Sequence, residues 1–161
     1  MKLAAALLSV AALTMTAPSA SAQAKPNFSA KWTMVVDPNA APAGGRGMRG
    51  LGQEATIVQD ANTLTVVRTG PNGEIKSVYN LDGSDSKNTM TFGGNSIDQV
   101  SKSKWDGDKL VITTTSNFNG NAFETTQVLS VDAAGNLVVD TTSPGRGGGA
   151  PTTTKMTYKK G

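Results

Sequence analysis

The chain has 161 residues, 37% of them hydrophobic but only 5% aromatic, and its 15 basic and 12 acidic side chains leave a formal charge of +3. That balance is too small to point to nucleic acid or an anionic membrane as a partner. The absence of histidine and cysteine removes the commonest general base, the commonest metal ligands, disulfides and a cysteine-linked lipid anchor.

The first residues form a leader pattern. Met1-Lys2 supplies a positive charge, residues 3–17 are almost wholly apolar, and Ala20-Ser21-Ala22 has the small-x-small spacing that signal peptidase accepts. The apolar run is shorter than the roughly 20 residues that span a bilayer. Residues 1–22 are therefore expected to be a secretory signal peptide, with cleavage after Ala24 as the alternative. Residues 23–161 fall within the usual size of one domain, about 100 to 200 residues. The expected product is an extracytoplasmic monomer, periplasmic or secreted, with no membrane span.

From Asn27 to Val36 the residues alternate, with Phe28, Ala30, Trp32, Met34 and Val36 on one face, which predicts a strand. Trp32 is either a ligand-stacking surface or a core plug at one end of the fold. Residues 37–52 are rich in proline and glycine without hydrophobic period, and residues 143–151 repeat that character. Both contain Gly-Arg-Gly. Arg46, Arg49 and Arg146 could thus form an anion-binding or partner-contacting pair of loops, the alternative being solvated linkers.

Strands are predicted at 53–60, 63–69, 74–81, 89–92 and 96–105, separated by Asp, Asn, Gly and Pro turns. The 96–105 strand is rich in serine and lysine, so it is either a sheet edge guarded by Lys102 and Lys104 or it faces a polar interior. Asp106-Gly107 marks a tight hairpin into Lys109–Ser116. Strands at 122–131, 136–142 and 152–159 complete the set. Thr113, Thr114, Thr115, Thr125 and Thr126 favour strands and can point to water.

About ten short antiparallel strands with tight turns predict an all-β, up-and-down meander that closes into a barrel, because strand twist and exposed edges drive closure. The Phe28 and Trp32 opening, the Trp105-Asp106-Gly107-Asp108-Lys109-Leu110 hairpin and the Tyr158-Lys159 ending resemble the lipocalin-like (calycin) group. More narrowly, the chain is similar to small secreted bacterial proteins that share this opening and a Trp-Asp-Gly-Asp-Lys-Leu-Val-Ile turn. The resemblance implies a barrel that binds a small apolar or amphipathic molecule. It also implies a basic residue of a late strand beside the opening tryptophan, for which Lys155 is the match.

An eight- to ten-stranded barrel is wide enough for one small ligand, and Trp32, Met34, Val66, Tyr79, Ile112 and Leu129 are the candidate lining residues. The alternative is a non-catalytic structural or interaction protein with a filled barrel, acting through its Gly/Arg loops. No nucleophile with a base, no spaced metal ligands and no cofactor motif occur, so neither catalysis nor a cofactor is expected.

Overall fold

The computed structural model describes residues 24–36, 50–70, 73–92, 94–118, 120–145 and 149–161. The expected leader and the three arginines Arg46, Arg49 and Arg146 lie outside the described residues, as do residues 37–49 of the first Gly/Arg-rich loop and 146–148 of the second.

Ten antiparallel strands form one nearly closed up-and-down barrel, with no helix among the described residues. They are β1 (Ala30–Met34), β2 (Glu54–Gln59), β3 (Thr63–Gly70), β4 (Gly73–Asn80), β5 (Ser86–Phe92), β6 (Asn95–Asp106), β7 (Lys109–Phe118), β8 (Asn121–Val131), β9 (Leu137–Ser143) and β10 (Thr152–Lys160). Each strand pairs with its neighbour in sequence except at one place, and β1 pairs with β10, giving the order β4-β3-β2-β1-β10-β9-β8-β7-β6-β5. The two ends of that order, β4 and β5, come together through side chains.

The turns follow from local chemistry. Asp60 accepts from the backbone N–H groups of Asn62 and Thr63 at 2.8 and 2.7 Å, and Asp132 accepts from those of Ala134 and Asn136, both at 2.9 Å. An aspartate that bonds its own backbone a few residues on offers the chain a turn in place of a strand. Between β6 and β7 the loop is Gly107-Asp108, with Gly107 at φ +62°, the left-handed region that a two-residue hairpin requires.

One half of the barrel interior is packed solid. Phe28, Trp32, Ile57, Leu64, Leu110, Ile112, Leu129, Leu137, Val139 and Tyr158 are buried in a single cluster. The segment before β1 caps that end. Phe28 stacks on Trp105 with ring centroids 6.0 Å apart and planes 6° from parallel, and Lys25 Nζ sits 5.3 Å from the Trp105 ring centroid. Gln59 holds the segment in place, accepting from the Phe28 N–H at 3.0 Å and donating to the Pro26 carbonyl at 3.2 Å.

Two expectations change in detail, and of the two readings offered for the 96–105 strand the polar interior is the one found. Val36 lies beyond β1 and is 69% exposed, because the alternation that began at Phe28 ends with the strand at Met34. β5 begins at Ser86 rather than at 89, since Ser86 and Asn88 face the β4 seam with polar side chains that hide the strand period. β6 is not an edge. It pairs with β5 on one side and β7 on the other, and turns Ser101 and Ser103 into the barrel, both 1% exposed, with Lys102 and Lys104 outside.

Candidate functional site

Along each strand the inward-facing residues change character from the capped end to the other. On β7 they run Leu110, Ile112, then Thr114 and Ser116; on β9, Leu137, Val139, then Thr141 and Ser143. On β8, which runs the other way, Leu129 gives way to Gln127 and Thr125. The apolar halves fill the base. The polar halves enclose a cavity of about 540 Å³, a size usual for small-molecule sites.

The cavity is lopsided. Its apolar surface comes mainly from Leu51, Val66, Tyr79, Met90 and Ile97, with Phe123 on β8, and its hydrogen-bonding surface mainly from β7, β8 and β9. Among the described lining residues Arg68 is the only charged side chain. It continues the inward series Leu64, Val66 on β3 and is half-buried. The two ion pairs among the described residues, Lys31–Glu54 at 3.4 Å and Lys102–Asp85 at 3.5 Å, do not involve it. A guanidinium turned into a partly enclosed space with no carboxylate on the described walls favours an anion there, since guanidinium–anion hydrogen bonds are charge-assisted and strengthen away from water.

Two tyrosines flank this charge. Burial raises the Tyr79 phenol above its ordinary pKa, opposed by a hydrogen bond with the Ser77 side chain and by the positive charge of Arg68. Burial likewise raises Tyr158, opposed by the Leu51 N–H and again by Arg68. Both phenols are therefore neutral at physiological pH and able to donate. Tyr158 Oη accepts from the Leu51 N–H at 3.0 Å and donates to Met156 Sδ at 3.5 Å. That contact draws Gly50 and Leu51, at the end of the long β1–β2 connection, into the barrel, where both are buried. Gly50 has φ +79°, and a Cβ there would meet Met156 Sδ at 2.5 Å and Tyr158 Oη at 3.0 Å. Glycine is required on both counts.

Of the six residues expected to line a ligand cavity, Val66 and Tyr79 do so. Trp32, Ile112 and Leu129 belong to the packed base, and Met34 packs against it. Trp32 is 3% exposed and its Nε1 donates to the Phe28 carbonyl at 2.8 Å, so it is the core plug of the two readings offered for it. Lys155 is exposed and its register partner is Asp140; beside Trp32 across the β1–β10 ladder stands Lys160 instead. The expectation for Lys155 is thus corrected by register. Thr114 and Thr125 face the cavity rather than water, a second correction, because a threonine's face follows from strand parity and not from its type. Arg68 escaped notice at the sequence level, although two-residue alternation from Leu64 through Val66 places it inside.

The chain matches no protein-family model and no curated protein.

Proposed function

We propose that this protein is an exported, non-catalytic binding protein that holds one small amphipathic molecule with an anionic group in the open half of its barrel. The observation that carries this reading is Arg68, an inward-facing guanidinium without a described carboxylate partner, on the wall of a cavity of about 540 Å³. Tyr79, a neutral phenol on the cavity wall within the electrostatic reach of Arg68, can add a hydrogen bond to the same anion. Val66, Met90 and Ile97 supply the apolar contact that the body of such a molecule needs. Export is supported by the leader pattern of residues 1–22.

The test is displacement of a fluorescent anionic amphiphile by decanoate and by decanol, on wild type and Arg68→Gln. The expected result is that decanoate displaces the probe at least tenfold better than decanol from wild type, with that preference lost in Arg68→Gln. Equal competition by acid and alcohol in wild type would refute the anionic reading. No displacement by either would remove ligand binding of this kind altogether.

A further inference from the structure

We infer that the cavity selects a hydroxylated amphipathic acid over a plain alkyl acid, with Thr141 reading the second polar group. The inference rests on the proposal that Arg68 holds the acid, and concerns the opposite wall. In a ring ordered β4-β3-β2-β1-β10-β9-β8-β7-β6-β5, β8 lies across the barrel from β3. The wall of β7, β8 and β9 that faces Arg68 therefore presents Thr114, Ser116, Thr125, Gln127, Thr141 and Ser143. Its one large apolar side chain is Phe123, which is 42% exposed near the end of β8.

These groups are not equivalent. Thr114 Oγ1 is bonded to Ser101 Oγ at 2.8 Å, and Ser116 Oγ accepts from Gln99 Nε2 at 3.0 Å. Thr141 is 2% exposed, and its Oγ1 has no hydrogen-bond partner among the described residues. Gln127 is its register partner on β8 and lines the same surface. Ser103 Oγ is also buried without a partner among the described residues, but it does not line the cavity. Thr141 is thus a cavity-lining residue whose buried hydroxyl is unpaired among the described residues, set just beneath the cavity surface.

That hydroxyl is already buried unpaired, so an alkyl chain laid over it leaves it so, whereas a ligand hydroxyl or carbonyl to which it turns would complete it. A site holding an unpaired buried hydrogen-bonding group rejects analogues that lack the complementary group. The combination of one cation, an apolar flank and a polar facing wall describes an acid bearing at least one further hydroxyl or oxo group along its length.

The test compares decanoate with the series of its monohydroxylated positional isomers on wild type, Thr141→Val and Thr141→Ser, with Arg68→Gln as the reference for the acid site. At least one isomer should bind wild type about tenfold more tightly than decanoate, a difference of about 1.4 kcal/mol. Thr141→Val should bring that isomer to the level of decanoate while decanoate itself changes by less than about twofold; Thr141→Ser, which keeps the hydroxyl, should retain the preference. Arg68→Gln should weaken parent and isomers alike. If wild type binds decanoate through Arg68 but no isomer exceeds it, or if Thr141→Val weakens all acids equally, the inference about Thr141 is wrong and the acid site stands. If wild type binds none of the series, both fail together.

Discussion

The side chain of Asn88 pairs with both backbone groups of Val78: the Val78 N–H donates to Asn88 Oδ1 at 2.8 Å, and Asn88 Nδ2 donates to the Val78 carbonyl at 3.0 Å. A side-chain amide thus stands where a peptide unit of a neighbouring strand would stand, at the one junction, β4 against β5, where the described strands form no backbone ladder. Nearby, the Asn80 N–H donates to Ser86 Oγ at 2.7 Å. A small cleft of about 140 Å³ opens along the same seam, between Ile75 and Met90.

The seam should therefore be sensitive to Asn88. Replacing it by alanine removes two part-buried hydrogen bonds and leaves two strand-edge groups to find water, so a loss of about 1–3 kcal/mol is expected. Urea denaturation measures it, and hydrogen exchange at the Val78 amide should accelerate in the variant. An unchanged midpoint together with unchanged exchange would show that the seam is held by something else.

Gly50 is the second sensitive point. Alanine there would have to adopt φ +79° and push its Cβ against Met156 Sδ and Tyr158 Oη, breaking the Leu51–Tyr158 bond that holds the loop end inside. The backbone penalty alone is about 1–2 kcal/mol, and the sulfur and hydroxyl must also move. Gly50→Ala should lower the denaturation midpoint and, because Gly50 and Leu51 line the cavity, weaken the binding of anionic amphiphiles too. A variant with wild-type stability and affinity would mean that the loop end can settle elsewhere at no cost.

Trp32 should separate stability from binding. It is buried at the capped end, bonded to the Phe28 carbonyl and away from the cavity lining. Trp32→Ala should cost about 3–5 kcal/mol, the range for a large aromatic removed from a core. The folded fraction should keep its affinity for decanoate within about twofold. A large loss of affinity at preserved stability would return Trp32 to the ligand site.

Strand and turn chemistry made the architecture legible. Alternating residues such as Leu64 and Val66, and turns built on Asp60, Asp132 and Gly107, each select one local structure. The cavity was harder to read because position along the strand, not residue type, decides it. Ile112 and Thr114 share a strand and a face, yet the first plugs the base and the second lines the cavity. Choosing large apolar residues as ligand contacts therefore gathers base residues such as Leu129 and Ile112. Arg68 and Thr141 could have been placed inside by parity from Val66 and Val139, but their burial and their lack of described protein partners depend on which neighbours the barrel brings round.

Stability should be flat across neutral pH and fall at both extremes, for different groups. Asp60 is held below the ordinary carboxylate pKa of 3.8, first by the Asn62 N–H; Asp82 first by the Ser84 hydroxyl; Asp132 first by the Asn136 side chain. A carboxyl whose pKa is lower folded than unfolded contributes stability above the unfolded value, and loses it as pH falls through the folded one. All three are solvent-exposed, so the acid limb, beginning below about pH 4, should be shallow and weaken further in salt. Tyr79 and Tyr158 act in the opposite sense. Their pKa values are raised from 10.0 by burial, so the unfolded chain ionises first and stability declines as pH climbs past that value toward the folded ones. These are the only two tyrosines in the chain, so tyrosinate absorbance reports them directly. It should rise later in the folded protein than in urea. Thermal midpoints should stay constant between about pH 6 and 8, where no side chain ordinarily titrates in a chain without histidine or cysteine. A midpoint that moves within that window would require a strongly perturbed carboxylate or lysine.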